Sequence, residues 1–189
     1  MNELPQGFLF GSVASGVKPS GKRDLAIIAT ESTAAMAGVY TQNVVCATSI
    51  DWNRAITPSK DFRGIVVNSG NANACTGQQG KVDNETMAGD VAELFGAQAE
   101  QFGVLSTGVI GVPLPMEKVR SGISLAFDGI GDQMQDFQNA ALAITTTDKS
   151  SKIVVDQIEI EGQQIRIAAM AKGAGMIGPN MATMLAIVC

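Results

Sequence analysis

Residues 64–68 read Gly-Ile-Val-Val-Asn, a β-branched run between Arg63 and a cluster of Asn, Ser and Gly residues. A continuous run of this kind, bounded by turn-forming residues, is typical of a strand that is covered on both faces of a sheet. We therefore predict a buried central strand at 64–68, and the segments on either side of it have to provide the cover.

Upstream of this strand, short apolar or β-branched runs alternate with Gly, Ser, Thr and Asn. Such punctuation predicts short strands joined by turns. We predict strands at 25–29, 37–40 and 44–49.

Downstream, three stripes of apolar residues recur at helical spacing and predict helices that pack on the sheet. Asp83 is the expected N-cap of the first helix and Gly96 its end, and Pro115 suits the first turn of the second. The stripes are Met87, Val91 and Leu94 or Phe95; Val119, Ile123 and Phe127; and Met134, Phe137, Ala141 and Ile144.

From Ile153 the apolar period changes to two, which predicts a β-hairpin with Ile158 and Ile160 facing Ile165 and Ile167 across residues 161–164. Strands and helices are therefore mixed in a layered α/β or α+β fold, one domain or part of one. The apolar run at 184–189 begins like a buried strand and has no polar tail. We expect a partner chain or a second half to cover it.

Composition excludes several classes of function. The chain has 189 residues, 46% of them apolar, and a net charge of −5, which indicates a folded domain without the basic face of a nucleic-acid-binding protein. It has no histidine, so Ser-His-Asp and Cys-His mechanisms and imidazole metal sites are excluded. Any catalysis therefore needs another base.

The three cysteines, Cys46, Cys75 and Cys189, fit neither a zinc pattern nor a disulfide framework. We expect a reducing, cytoplasmic setting, and we expect no metal. No signal segment and no membrane-spanning apolar stretch is evident, so we also expect a soluble protein.

Three clusters rich in small residues could let a ligand approach the backbone: 68–73, 106–111 and 172–175. None has the spacing of a phosphate-binding P-loop, and the dinucleotide-binding signal in them is weak. Each fits an ordinary turn. The alternative is a cradle for an oxyanion or a carboxylate, since hydroxyls, amides and Lys172 lie beside apolar strands.

Residues 172–185 read Lys-Gly-Ala-Gly-Met-Ile-Gly-Pro-Asn-Met-Ala-Thr-Met-Leu, and here the chain resembles the ornithine acetyltransferase family. The similarity runs from Gly7 to the last residue and includes the motifs at 16–21, 68–77 and 106–111. It implies the family's α/β sandwich, of the N-terminal-nucleophile-like DmpA/ornithine acetyltransferase type. By the same resemblance, residues 1–189 form a single domain or half-domain, the alpha chain of a self-cleaved precursor that a second chain completes.

The resemblance also implies roles for particular residues. The precursor would be cut between Ala182 and Thr183, and the freed Thr183 would be the nucleophile. Thr107 and Gly108 match the family's oxyanion hole, and Thr146 and Lys172 match substrate-contacting positions. A freed N-terminal threonine carries its own amine, with a reference pKa of about 7.7–8.0, which can serve as the base that histidine cannot supply.

The family transfers an acetyl group from N2-acetyl-L-ornithine to L-glutamate through an acetyl-threonine intermediate, in arginine biosynthesis. This implies amino-acid substrates, no cofactor, acetyl-CoA as a substrate in some members, and a heterotetramer of two alpha and two beta chains. Two alternatives stay open: an amidohydrolase or aminopeptidase of the same fold, and a non-catalytic half that binds a partner. The chain continues six residues beyond Thr183, so it is an uncut or artificially bounded piece, or cleavage occurs after Cys189. We expect cleavage between Ala182 and Thr183, because this pair is correctly spaced from Lys172.

Overall fold

The computed structural model describes residues 3–175 and 184–189, and within them strands and helices form two sheets with helices packed around them. A four-stranded sheet has the order β1-β2-β3-β4, and a three-stranded sheet has the order β5-β6-β7. The elements are β1 (Phe8–Val13), β2 (Leu25–Met36), α1 (Thr48–Ile56), β3 (Ser59–Asn71), α2 (Gly77–Leu94), a 3-10 turn (Ala99–Gln101), β4 (Phe102–Val109), α3 (Met116–Asp128), α4 (Met134–Ala143), β5 (Lys152–Ile160), β6 (Gln163–Lys172) and β7 (Leu185–Val188).

The predicted central strand at 64–68 is confirmed as the middle of β3. This strand pairs antiparallel with β2 on one side and parallel with β4 on the other. Its two valines show that both faces are covered, because Val66 packs among residues of α2 and α3, and Val67 packs among residues of α4, β6 and β7. The sheet is therefore the middle layer of an α/β sandwich, as the sequence predicted.

Strand β2 shows the same division residue by residue. Leu25 and Ile27 face the α2 and α3 layer, whereas Ala26 and Ile28 face α4 and the second sheet. Because side chains alternate across a strand, a sheet buried on both faces needs an unbroken apolar run. The strand predicted at 25–29 is confirmed on this basis.

Two other predicted strands are wrong. Residues 37–40 form no regular element, and residues 44–49 contain one isolated bridge at Ala47 before helix α1 begins at Thr48. This helix is anchored by a polar residue. The side-chain amide of Asn53 donates to the carbonyl of Val104 at 2.8 Å and its oxygen accepts from the amide of Val104 at 3.0 Å. A hydropathy pattern does not reveal that kind of docking, which is why α1 was missed.

The helical stripes are confirmed as α2, α3 and α4, with one wrong boundary. Asp83 is not an N-cap, because α2 begins at Gly77 and Asp83 lies buried inside it, accepting from the amide of Gln79 at 2.8 Å. The first turns of α2 are mostly polar and therefore lack an apolar period. Pro115 is the N-cap of α3, one position before the first turn in which it was predicted.

The hairpin is confirmed as β5 and β6, with Ile158 opposite Ile165. Its turn is Glu161 and Gly162, both with positive φ, so the loop has two residues and not the four that were predicted. The apolar run at the end forms β7, which pairs with β6. No helix in the described ranges is long and apolar enough to cross a membrane.

Candidate active site

The site lies where β3 and β4 end side by side. In their parallel register Ser69 is opposite Thr107 and Gly70 is opposite Gly108. Parallel strands bring their carboxyl ends to the same edge, so two of the motifs rich in small residues meet although they are far apart in the sequence.

Gly108 permits this close approach of the two strands. Its φ is +140°, a conformation that side-chain-bearing residues rarely adopt. A Cβ atom at this position would lie 2.2 Å from the carbonyl carbon of Gly70 and 2.4 Å from the amide nitrogen of Asn71. Only glycine fits without moving the backbone.

Thr107 is bound from the other sheet by Lys172. The Nζ atom of Lys172, at the end of β6, donates to Oγ1 of Thr107 at 3.0 Å, and both residues are nearly fully buried. A lysine ammonium has donors only, so the threonine oxygen is the acceptor and its own hydroxyl proton remains available to another acceptor. Burial lowers the pKa of Lys172, and the nearby Asp148 opposes that shift.

Asp148 holds the two loops around this pair together. Its Oδ1 accepts from the amide of Gly173 at 2.8 Å and from Nζ of Lys152 at 2.6 Å, and its Oδ2 accepts from the amide of Thr146 at 3.4 Å. Burial alone would raise the pKa of Asp148, but the hydrogen bonds from Lys152, Gly173 and Thr146 outweigh it and lower the pKa to about 2. Asp148 therefore fixes Thr146 next to the residue that follows Lys172.

A second lysine, Lys18, reaches the same place from the loop after β1. Its Nζ donates to the carbonyl of Arg23 at 2.7 Å and to that of Ala143, at the end of α4, at 3.4 Å. Burial is the main reason why the pKa of Lys18 is lowered. The hydroxyl of Ser69 donates to the same carbonyl of Ala143, so the end of α4 is fastened to β3.

The loop that carries Lys18 is organised by Asp24, which is fully buried. The Oδ1 atom of Asp24 accepts from the backbone amide of Ser15 at 2.6 Å and from the Ser15 hydroxyl at 2.8 Å. The Oδ2 atom accepts from the backbone amides of Gly16 at 3.1 Å and Lys18 at 2.8 Å. Sequence reasoning found no role for Lys18, Asp24 or Asp148. The available signal was the position of these charged residues. Lys18 lies within the motif at 16–21, Asp24 follows that motif, and Asp148 ends the segment 144–148.

Two cavities share the end of β4. The first, which we call the lysine cavity, has a volume of about 660 Å³. The second, the cysteine cavity, has a volume of about 250 Å³. Thr107 and Gly108 line both. The other main lining residues are Lys18, Gly70, Thr146 and Lys172 in the lysine cavity, and Cys46, Cys75, Ser106 and Met184 in the cysteine cavity.

The structure thus brings Thr107, Gly108, Thr146 and Lys172 to one cavity. Ala182 and Thr183 lie outside the described residues, so their cleavage and nucleophile roles stay predictions. Within 3–175 and 184–189, no cluster of three or more Cys, Asp or Glu side chains lies close enough to hold a metal ion.

Comparison with known proteins points in one direction. The model of the ArgJ family matches residues 9–189. The chain is 51% identical over 185 residues to the arginine biosynthesis bifunctional protein ArgJ of Rhodopirellula baltica, covering 98% of this chain and 45% of that protein. It is 42% identical over 188 residues to the mitochondrial ArgJ of Dictyostelium discoideum, covering 98% of this chain and 42% of that protein. The chain therefore spans about half the length of these relatives.

Solved structures give the same result for the fold. The crystal structure of the arginine biosynthesis bifunctional protein ArgJ from Bacillus halodurans matches with a TM-score of 0.87 at 36% identity, covering 94% of this chain and 92% of that chain. Ornithine acetyltransferase from Mycobacterium tuberculosis, complexed with ornithine, matches with a TM-score of 0.83 at 36% identity, covering 94% of each chain. The fold is that of these structures.

Proposed function

Because the chain belongs to the ArgJ family, we propose that it is the N-terminal half of an acyltransferase that moves an acetyl group from N2-acetyl-L-ornithine to L-glutamate in arginine biosynthesis. The observation that carries this proposal is the buried contact between Lys172 and Thr107, which leaves the threonine hydroxyl proton free at the wall of a cavity of substrate size. A hydroxyl polarised by a lysine is a suitable donor to a developing oxyanion.

The nucleophile we propose is Thr183, freed by self-cleavage after Ala182. Ala174 lines the lysine cavity and Met184 lines the cysteine cavity, and Thr107 and Gly108 line both. The chain segments that flank the proposed cleavage site therefore both border the proposed oxyanion hole. This supports one hole that serves the cleavage reaction and the transfer reaction in turn.

In the transfer reaction, Oγ of Thr183 attacks the acetyl carbonyl carbon of acetylornithine and its proton passes to the α-amine of the same residue. The Thr107 hydroxyl and the Gly108 amide stabilise the oxyanion, the amide C–N bond breaks, and the proton is delivered to the ornithine nitrogen. The amine of glutamate then attacks the acetyl ester, and the proton it loses returns to Oγ. N-acetylglutamate leaves, and Thr183 is free again.

Substrate selection is proposed to depend on the two lysines of the lysine cavity. Ornithine and glutamate both carry an α-carboxylate, which a buried ammonium group binds through charge-assisted hydrogen bonds. Lys172 and Thr146 are the proposed substrate contacts, and Lys18 adds a second positive charge on the same cavity wall. We also propose acetyl-CoA as an additional acetyl donor, as the resemblance implies for some members of the family.

The partner we propose is the C-terminal beta chain of the same precursor, with two alpha and two beta chains in the assembly. The support comes from comparing chain lengths. This chain covers almost all of each solved chain that it matches, but less than half of the relatives named above.

We propose a cytoplasmic location because the three cysteines are unpaired, although the Dictyostelium relative is named as mitochondrial.

The first experiment is intact-mass analysis and N-terminal sequencing of the expressed full-length gene product. We expect two fragments, the C-terminal one beginning at Thr183, and we expect Thr183→Ala to remain one chain. Thr183→Ser is the matched control, since it keeps a hydroxyl and should still be cleaved. A fragment that begins elsewhere, such as after Cys189, would overturn the nucleophile assignment.

Substrate and pH tests then separate the acyltransferase from the amidohydrolase. Acetylornithine incubated with glutamate should give N-acetylglutamate and ornithine, whereas an amidohydrolase would release acetate with or without glutamate. The rate should rise through roughly pH 7 to 8 as the α-amine loses its proton, and then level. A flat profile with chemistry rate-limiting would require a different base.

A further inference from the structure

Two of the three cysteines lie beside a short antiparallel contact. Ala47 and Ala74 form an isolated antiparallel bridge, and the amide of Thr48 donates to the carbonyl of Asn73 at 3.3 Å. Cys46 directly precedes Ala47 and Cys75 directly follows Ala74, so the two cysteines lie at the same end of this bridge. A disulfide joins residues whose Cα atoms lie roughly 4.4–6.8 Å apart, which makes the two neighbours of a bridged pair candidates for one.

Both cysteines also line one small space, the cysteine cavity of about 250 Å³. Neither is in a disulfide; Cys75 is exposed, whereas Cys46 is half-buried and its Sγ donates to Oδ1 of Asp51 at 3.9 Å. Burial and the charge of Asp51 raise the pKa of the Cys46 thiol, so Cys46 is the second thiol to react and not the first. Cys75 has a φ of +57°, a conformation that residues other than glycine rarely adopt. The two thiols that share this cavity are therefore the pair whose chemistry we consider.

We propose that Cys46 and Cys75 form a reversible disulfide when the protein meets hydrogen peroxide. The thiol of Cys75, the more exposed of the two, loses its proton and the thiolate attacks one peroxide oxygen; the O–O bond breaks, and the leaving hydroxide takes up that proton as water, which leaves a sulfenic acid on Cys75. The thiol of Cys46 then loses its proton and the thiolate attacks the sulfur of Cys75; the S–O bond breaks, and the leaving hydroxide takes up the proton from Cys46 as a second water. In sum, two thiols and one peroxide give one disulfide and two waters.

The disulfide would act directly on the end of β4. The amide of Ala72 donates to the carbonyl of Val109 at 2.9 Å, and the carbonyl of Ala74 accepts from the amide of Gly111 at 2.8 Å. The segment that carries Cys75 is thus bonded to the residues that follow Gly108. Fixing Cys46 to this segment would narrow the cysteine cavity in front of Thr107 and Gly108. A lower acyltransferase rate after oxidation is expected, and this consequence rests on the proposed function, whereas the disulfide itself does not.

Trypsin, which cleaves after Lys and Arg, places the three cysteines on three different peptides. Cys46 lies on peptide 24–54, Cys75 lies on peptide 64–81, and Cys189 lies on a peptide that begins after Lys172. The full-length protein is treated with hydrogen peroxide, alkylated, digested without reduction and analysed by mass spectrometry. We expect a linked species of peptides 24–54 and 64–81, lighter than their sum by two hydrogen atoms, which dithiothreitol separates. A product that stops at sulfinic acid on Cys75, or a disulfide between two molecules, would overturn the proposal.

Cys189→Ser is the matched control. The thiol of Cys189 is largely buried, and burial raises its pKa to about 12, so it should not compete for the oxidant. The Cys189→Ser protein should form the linked peptide as the wild type does, and Cys46→Ser and Cys75→Ser should not. Far-ultraviolet circular dichroism of each variant shows whether it is folded.

Activity measured in parallel keeps the two proposals apart. If the linked peptide forms and peroxide lowers the rate of the wild type but not of Cys46→Ser, both the disulfide and its effect on the site hold. If the linked peptide forms and the rate is unchanged, the disulfide holds and its coupling to Thr107 is wrong. If neither variant nor wild type transfers acetyl groups before oxidation, the proposed function fails while the mass analysis still decides the disulfide.

Discussion

The lysine cavity and the cysteine cavity lie on two sides of the same strand end, yet they are built in opposite ways. In the lysine cavity the charged side chains have partners: Lys172 donates to Thr107, Lys18 donates to two carbonyls, and the loops are held by buried carboxylates. The cysteine cavity is lined by two cysteines and by apolar side chains, among them Ile50, Ile110 and Leu185, and no lysine is among the described residues of its wall. The difference fits the two proposals, in which the lysine cavity binds and stabilises charge and the cysteine cavity holds the thiols of a reversible disulfide.

The supports of the two cavities differ in the same way. Asp24 and Asp148 each accept several hydrogen bonds and fix the loops that carry Lys18 and Thr146. Cys46, in contrast, ends a segment, residues 37–46, that forms no regular element and in which Val39, Val44 and Val45 are exposed. Substitutions on the lysine side should therefore change binding and rate, and those on the cysteine side should change the response to oxidants.

The largest effect is expected at the shared wall. Gly108→Ala should destabilise the protein by roughly 2–6 kcal/mol, because the new Cβ meets the Gly70 backbone and φ at this position is positive. Urea unfolding measures the loss. Gly111→Ala is the matched control, since Gly111 also has a positive φ but nothing lies within 4 Å of its Cβ position. Equal losses for the two variants would show that the close approach of β3 and β4 does not matter.

The next effect is expected at Thr107, whose hydroxyl faces the transferring group in the proposed mechanism. Thr107→Ala should lower kcat by about 10²–10³ with little change in KM, because the donor acts mainly in the transition state. Steady-state kinetics on cleaved protein measure both constants, and Thr107→Ser should restore most of kcat. A raised KM with an unchanged kcat would make Thr107 a binding residue.

A smaller effect is expected from the charges of the lysine cavity. Lys172→Met should raise KM and lower kcat/KM by about 10–100-fold, which corresponds to losing a charge-assisted hydrogen bond. Lys18→Met should have a weaker effect in the same direction, because carbonyls already occupy part of its donor capacity.

Two control variants flank that test. Lys22→Met removes an exposed charge outside the lysine cavity. Cys46→Ser replaces a lining residue of the cysteine cavity, and its activity is measured with a reductant present. Both should stay within about twofold of the wild-type kcat/KM. If Cys46→Ser lowered kcat/KM as much as Lys172→Met, the proposal that the lysine cavity alone binds the substrate would be wrong.

The smallest effect is expected on stability, through Asp148. Its pKa is about 2 in the folded protein, below the ordinary carboxyl value, so its ionised form stabilises the fold above about pH 4 and this contribution disappears as the pH falls toward 2. Asp148→Asn should lower the free energy of unfolding at pH 7 by about 2 kcal/mol.

Denaturant unfolding at a series of pH values tests the sign of this effect. The wild type and Asp148→Asn should converge as the pH is lowered, whereas Asp128→Asn, a change at an exposed residue, should follow the wild type throughout. A constant difference between wild type and Asp148→Asn at every pH would mean that Asp148 acts by shape and not by charge.

The fold was predictable where burial leaves a period in the sequence. The unbroken runs at 25–29 and 64–68 and the apolar stripes of three helices report directly which elements and faces are buried in the core. The alternation in the β5–β6 hairpin predicted the strands but not their burial, because Ile158, Ile160 and Ile165 are exposed. Helix α1 was not predictable in this way. Its buried anchor, Asn53, is polar and bonds the backbone of Val104, and a polar residue looks the same in a sequence whether it docks or faces water.

The sequence by itself determined that these 189 residues supply no histidine, that 64–68 is a buried strand, and that the motifs at 106–111 and 172–185 resemble one family. Only the tertiary structure decided which charges meet. Lys172 reaches Thr107 across 65 positions, and Lys18 reaches Ala143 across 125. A periodic pattern identifies the buried face of an element, but its partner is set by how the two sheets pack. An isolated bridge between Ala47 and Ala74 likewise brings Cys46 and Cys75 to one cavity, which no spacing rule indicates.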